Sequence, residues 1–280
     1  MNSKTLKDSL IGLILGIAIM LGAYYLIPKD SINKLFPNSL IETIIFLFSV
    51  ILCPLFAIFI HELGHLTAGL VQGFKLQLFV VGVLGINRVD DKVNYYLNKD
   101  FQFFGGVAAT SPNSITNELR KQYALIMIAG PLFSLLFGIL FLCLFMNTNS
   151  IFNSSLGITG IISFGLFIAT TLPEKSGIFF TDRKRMQRLL DKGETGVIEF
   201  SFLKTTSQLL IDSHYKNISI EDIKMIQSDD EPIIQFWGHY YEFKHFEEIG
   251  NDEAALKKKE TLHHYREILP KTIWKSLSIN

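Results

Sequence analysis

The sequence predicts a mainly α-helical, polytopic membrane protein with about four spans, a small membrane-associated β hairpin and a helical cytoplasmic C-terminal domain. Hydrophobic residues make up 49% of the 280 positions, and the mean hydropathy is +0.31. Four apolar segments are long enough to cross a bilayer, at about residues 9–27, 40–70, 122–146 and 154–173. From about residue 186 onward the chain is polar and carries charges of both signs.

The apolar segments divide the chain into three predicted regions. Residues 1–39 are expected to form an N-terminal membrane anchor and an external loop, because the first apolar stretch ends at Tyr24 to Pro28 without a small-residue cleavage pattern. Residues 40–189 are expected to form the membrane core, in which the polar turn at residues 147–150 separates the last two spans. Residues 190–280 are expected to form a soluble helical domain.

Basic residues predict the orientation of these spans. Five Lys and Arg residues follow the fourth span, whereas the turn at 147–155 has no charge. Loops rich in Lys and Arg stay in the cytoplasm. We therefore expect a multi-pass protein of the cell membrane with both termini cytoplasmic, although Lys29 and Lys34 in the external loop oppose this weakly.

Two further patterns indicate local structure outside the spans. Residues 76–81 and 93–97 are typical of strands, with Asp90-Asp91 as turn residues between them. In the polar domain, Asp230-Glu231-Pro232 predicts the start of a helix, and Gly250-Asn251-Asp252 predicts a break between two helices.

Charge and cysteine content exclude several classes of function. The formal net charge is zero, so no nucleic-acid partner is expected. The two cysteines, Cys53 and Cys143, both lie in apolar runs and can form neither a disulfide framework nor a Cys-rich zinc site.

The motif that carries chemistry is His61-Glu62-Leu63-Gly64-His65, at the end of an apolar run. Two histidines four residues apart lie on one face of a helix, where both imidazoles can bind one metal ion. Glu62 is then placed to act on a water molecule at that metal. Ionisable residues inside a span are costly, and they indicate a functional site.

A His-His zinc site needs a third protein ligand if one position is to remain open. Asp182 is the preferred candidate, because apolar residues lead directly into it from Ile178. Glu118, before the third span, and Glu174, after the fourth, remain alternatives. Asp182 also has a competing or additional role as the N-cap of a basic helix that starts at Arg183.

Taken together, these motifs resemble the site-2 protease family of intramembrane zinc metalloproteases. The resemblance covers roughly residues 40–190, and one departure is Arg183, where the family usually has Gly after the ligand Asp. The matching pieces follow one another in order: His61-Glu62-Leu63-Gly64-His65, Gly105-Gly106, Ala129-Gly130-Pro131-Leu132-Phe133-Ser134, Leu172-Pro173 and Asp182.

The resemblance implies a zinc metalloendopeptidase that cleaves membrane-embedded protein or peptide-precursor segments. One zinc ion per chain would be held by His61, His65 and Asp182, with Glu62 as the general base. The loop residues Phe104, Gly105 and Gly106 are candidates for lining the substrate path. The expected partners are the lipid bilayer, a membrane-anchored substrate and a cytoplasmic regulatory protein that binds the C-terminal domain.

Two alternatives stay open at this point. One is a catalytically divergent membrane scaffold or immunity-type protein that keeps the fold. The other is a membrane metal carrier, which the absence of charges from the other spans disfavours.

Overall fold

The computed structural model describes residues 33–89, 92–172, 174–176, 178–269, 271–277 and 279. Within these residues, three long apolar helices are candidate membrane spans. They are α1 (Leu40–Val71), α2 (Leu119–Asn147) and α3 (Asn153–Thr171). Each is long and apolar enough to cross a membrane, and they coincide with the second, third and fourth predicted spans. The predicted first span, the Asp90-Asp91 turn and Pro173 lie outside the described residues.

Polar groups within and beside these helices are used for packing. The hydroxyls of Ser49 on α1 and Ser155 on α3 lie 2.6 Å apart. Lys34 donates to the carbonyls of Met146 and Thr148, each at 3.3 Å. A cation is favourable at a helix C-terminus, so the lysine that opposed the predicted orientation stabilises the end of α2.

The segment between α1 and α2 forms a four-stranded sheet, larger than the predicted hairpin. Its strands are β1 (Lys75–Val81), β2 (Leu84–Val89), β3 (Lys92–Leu97) and β4 (Val107–Ser111), in the order β3-β2-β1-β4. The β1–β2 and β2–β3 pairs are antiparallel. Strand β2 was not predicted because Gly85 and Asn87 weaken its strand pattern. The ring of Tyr96 lies over Gly85, where an added Cβ would be 2.4 Å from it.

In the described C-terminal region, every secondary-structure element from Asp182 onward is a helix. Two short strands, β5 (Lys175–Ser176) and β6 (Phe179–Phe180), precede it and pair antiparallel. The predicted helix starts at Pro232 and Asp252 are confirmed, and the Asn251 side chain caps the second. The helices are α4 (Asp182–Leu190), α5 (Glu194–Asp212), α6 (Ile220–Gln227), α7 (Pro232–Glu248), α8 (Asp252–His263) and α9 (Lys271–Ser276).

The chain divides into two compact units. Among the described residues, the first contains those from 33 to 65 together with those within 78–108 and 129–174. The second contains residues 66–77, 109–128 and 175–280, and its main core is built around Phe236 and Ile223, both fully buried. Aromatic rings from α7 dominate that core, including the stacked pair of Phe236 and Tyr240.

Candidate metal centre

The two motif histidines lie one turn apart on α1 and are both buried, with 6% and 7% of their surface exposed. Nε2 of His61 lies 3.3 Å from Nε2 of His65, and the two rings are nearly perpendicular, at 82°. Two nitrogens bound at about 2.0–2.1 Å to a tetrahedral zinc ion are separated by about 3.3–3.4 Å. The pair therefore has the spacing that such an ion requires.

A residue of α2 contacts the ring nitrogen of His61 that faces away from His65. Nδ1 of His61 lies 2.9 Å from the hydroxyl of Ser134, which is completely buried. When Nδ1 carries the proton and donates it to this hydroxyl, Nε2 keeps its lone pair for a metal. In the sequence, Ser134 was considered only as the last residue of a segment that resembles the family, and no role was predicted for it. The sequence signal that could have identified Ser134 is its hydroxyl group, about one helical turn after Gly130-Pro131 in a span without charged residues.

Two glycines allow α1 and α2 to approach closely at this point. A Cβ on Gly64 would lie 2.6 Å from the carbonyl oxygen of Ala129. A Cβ on Gly130 would lie 2.2 Å from Nε2 of His65. Any side chain at either position would separate the helices or displace the imidazole, so these glycines are part of the site.

Asp182 completes a group of potential ligands. The ligand atoms of His61, His65 and Asp182 all lie within 4.8 Å of one another. Asp182 is the first residue of α4, and the N-cap position belongs to Thr181 rather than to Asp182. Two imidazole nitrogens and one carboxylate oxygen are a ligand set that catalytic zinc sites use.

The alternative third ligands are placed elsewhere. Glu118 is largely exposed and forms an ion pair with Lys121 at 3.0 Å. Glu174 is also exposed. Among the residues that the structure describes, the group capable of holding a metal ion includes neither of them.

The predicted substrate-path residues divide into two groups. Gly106 has a left-handed backbone (φ 93°), and a Cβ there would lie 2.8 Å from Oε1 of Glu62. Gly106 therefore borders the predicted catalytic base. The carbonyl of Phe104 instead accepts a 3.3 Å hydrogen bond from the amide of Gly82, whereas a Cβ on Gly105 would meet no atom within 4 Å.

Three apolar helices with a buried His-His pair and a nearby carboxylate define a membrane protein of the metallopeptidase type. The family model described as Peptidase family M50 matches residues 47–271, about four-fifths of the chain. The chain belongs to this family, which is the site-2 protease family, so the resemblance found in the sequence is confirmed. The match also extends well beyond residue 190, where that resemblance ended. No curated protein and no solved structure matches the chain.

Proposed function

We propose that this protein is an intramembrane zinc metalloendopeptidase that hydrolyses peptide bonds in membrane-embedded protein or peptide-precursor segments. His61, His65 and Asp182 would hold one zinc ion per chain. The 3.3 Å separation of the two imidazole Nε2 atoms is the observation that carries this proposal. Membership of the site-2 protease family, whose members are zinc metalloproteases, supports it independently.

In the proposed reaction, zinc supplies Lewis acidity toward the scissile carbonyl and toward water. Glu62 accepts the proton of the attacking water on its carboxylate and passes it to the departing amine nitrogen. Ser134 holds the proton on Nδ1 of His61, so that Nε2 faces the metal. Gly106 leaves room for the carboxylate of Glu62 to turn between water and leaving group.

The substrate must be presented as an extended chain, because the peptide bonds of a helix are closed by internal hydrogen bonds. An edge strand can bind such a chain through its free backbone groups. Strand β4 is at one edge of the sheet, and it begins directly after Gly106, the neighbour of Glu62. We expect an unwound substrate segment to pair with this edge and so reach the base.

The proposed setting is the cell membrane, with several spans and with both termini on the cytoplasmic side. The substrate is then a membrane-anchored protein or peptide that lies in the lipid bilayer. A cytoplasmic regulatory protein would act through the helices that follow residue 190.

The first test is the zinc content of the purified full-length protein and of two variants. We expect about one zinc per chain in the wild type and in Glu62→Ala, because Glu62 is a base and not a ligand. We expect zinc to be lost or sharply reduced in Asp182→Ala. Cleavage of a panel of membrane-anchored segments should then be abolished in both variants.

Each contrary outcome has a definite meaning. A wild-type protein without zinc after metal-free handling and reloading would refute the enzyme proposal and favour the scaffold alternative. Full zinc retention in Asp182→Ala would refute the assignment of Asp182 as the third ligand. Undiminished cleavage by Glu62→Ala would refute its role as the base.

A further inference from the structure

A buried ionic network connects the helix that carries Asp182 to the C-terminal helices. Glu199 on α5 is only 1% exposed, and its two carboxylate oxygens accept from two arginines of α4. Arg185 donates at 2.9 Å, and Arg188 donates at 2.8 Å. A buried carboxylate without partners is strongly unfavourable, so Glu199 requires α4 to lie where it does.

Arg188 makes further contacts that hold it in place. Its second nitrogen donates to Asp229, which is also buried. Its guanidinium lies over the ring of Phe180 at 4.5 Å. Burial alone would lower the pKa of Arg188, but the hydrogen bonds and charges of Glu199 and Asp229 outweigh it and raise the pKa, so the arginine is charged.

The same segment is attached at both of its ends. Before α4, Lys175 forms an ion pair with Glu231, at the start of α7. After α4, Arg120 donates to the carbonyl of Leu189 at 2.9 Å and to that of Asp191 at 2.5 Å. Contacts made by charged side chains therefore hold the segment that contains Asp182 both before and after α4.

These contacts matter because α4 cannot define its own position. It has nine residues, fewer than the roughly 12–15 that an isolated helix needs to be even marginally stable in water. Asp182 is its first residue, and Arg185 is one turn further along. A metal ligand has to be placed within about 0.2 Å, a tolerance that a free helix of this length does not provide.

We infer that Glu199 is a positioning residue for the metal centre, acting through Arg185 and Arg188 to hold α4 and thereby Asp182. The inference rests on the proposed function, because it takes Asp182 as a zinc ligand. It also gives the C-terminal helices a role in completing the site. The family match, which continues through these helices to residue 271, supports that role.

The competing explanation is that Glu199 only stabilises the C-terminal helices. Glu242 on α7 provides a matched control, because it is also a buried carboxylate, with 5% of its surface exposed. Its partners are Gln227 and Lys258, on α6 and α8. Replacing either glutamate with glutamine removes one buried charge from the same helical region, but only Glu199 contacts α4.

The test uses full-length protein in detergent and compares Glu199→Gln, Glu242→Gln, Asp182→Ala and the double variant Glu199→Gln/Asp182→Ala. Zinc affinity is measured by competition with a chelator, and thermal unfolding is measured alongside. The visible absorption of Co²⁺ bound in place of zinc reports the ligand set directly. We expect Glu199→Gln to lower zinc affinity about 10- to 100-fold, as disturbed ligand orientation does elsewhere.

The Co²⁺ spectrum of Glu199→Gln should change toward that of Asp182→Ala. Glu242→Gln should keep the wild-type affinity within about threefold and keep the wild-type spectrum, even if its unfolding temperature falls. In the double variant the Glu199 substitution should add nothing to the loss from Asp182→Ala, because two changes that act through one ligand are not additive.

Equal losses in Glu199→Gln and Glu242→Gln would overturn the inference, as would a Glu199→Gln protein with wild-type affinity and spectrum. Both results presuppose a wild type that binds zinc and an Asp182→Ala that binds it measurably but much more weakly, so they differ from a failure of the proposed function. If Glu199→Gln does not fold, Arg185→Met is the alternative variant. It removes one of the two arginines that bind Glu199, and it does so at a side chain that is 39% exposed. It should then lower zinc affinity severalfold, and no change would overturn the inference.

Discussion

Replacing Gly130 with alanine should weaken zinc binding while the protein remains folded. The added Cβ would lie 2.2 Å from Nε2 of His65, and 2.6 and 2.7 Å from two carbons of the same ring. Ordinary van der Waals contact begins at 3.4 Å. The imidazole must therefore move by roughly 1.2 Å, or α1 and α2 must separate by a similar distance.

This displacement is large compared with what a metal site tolerates. Ligand distances are kept within about 0.2 Å, so the predicted movement is several times that limit. Disturbing the groups that orient a ligand costs about 10- to 100-fold in metal affinity. Because Gly130→Ala acts on the ligand atom itself, we expect a loss of about 100-fold, which corresponds to about 2.8 kcal/mol of binding free energy.

The assay is chelator competition on the purified protein, with Gly165→Ala as the control. Gly165 also lies within an apolar helix, α3, and a Cβ there would meet nothing within 4 Å. Alanine is the better helix former by about 1 kcal/mol at either position, so helix propensity cannot explain a loss at one position alone. Zinc affinity of Gly130→Ala within threefold of wild type would show that His65 does not bind zinc through this Nε2.

Three further predictions test other parts of the molecule. Ser134→Ala should lower zinc affinity about 10-fold, and an unchanged affinity would show that its hydroxyl does not orient the imidazole. Gly106→Ala should keep zinc but lose most cleavage, because its Cβ would lie 2.6 Å from Cγ2 of Ile58 and 2.8 Å from Oε1 of Glu62, the proposed base, in a left-handed backbone. Gly105→Ala, with open space around it, should cleave normally, and equal activity of the two would show that these contacts do not affect cleavage. The pKa of Asp212 is lowered, chiefly by a hydrogen bond from the backbone amide of His214, so its stabilising effect is present at neutral pH and is lost as the pH falls through and below about 4. Thermal unfolding should therefore show Asp212→Asn less stable than wild type at pH 7, with a difference that shrinks toward pH 3, and a constant difference would contradict the assignment.

The residues of the candidate site that could be predicted from the sequence are those whose prediction depends only on neighbouring positions in the chain. His61, Glu62 and His65 are related by helical spacing alone, so their arrangement follows from local geometry. The carboxylate at Asp182 was chosen because apolar residues lead into it, which depends only on neighbouring positions. The helix starts at Pro232 and Asp252 were predictable for the same reason, since capping and proline signals are local.

What could not be predicted depends on contacts between distant elements. The hydrogen bond between His61 and Ser134 joins residues 73 positions apart. The need for glycine at position 130 arises only because an imidazole from α1 lies against it. Strand β2 was missed because glycine is a weak strand former, although Gly85 is the residue over which the Tyr96 ring packs on the neighbouring strand. Each of these is a tertiary constraint that no local pattern records.

The network around Glu199 also changes what a truncation should do. If the predicted domain at residues 190–280 only gated the site, its deletion would change activity without abolishing zinc binding. That deletion would remove Glu199 and Asp229, both buried partners of Arg188. The contacts therefore favour the opposite expectation, in which the truncated protein binds zinc weakly because α4 is no longer held.

The position of Glu199 in the chain gives the site an order of assembly during synthesis. A ribosome delivers His61 and His65 first, Asp182 later, and the partners of Arg188 only after that, because translation proceeds from the N-terminus. A nascent chain halted before Glu199 would carry all three metal ligands but nothing to hold the third in place. On the proposed function, the chain would become able to hold its zinc ion only after Glu199 and Asp229 have been synthesised, so shorter nascent chains would not cut neighbouring proteins.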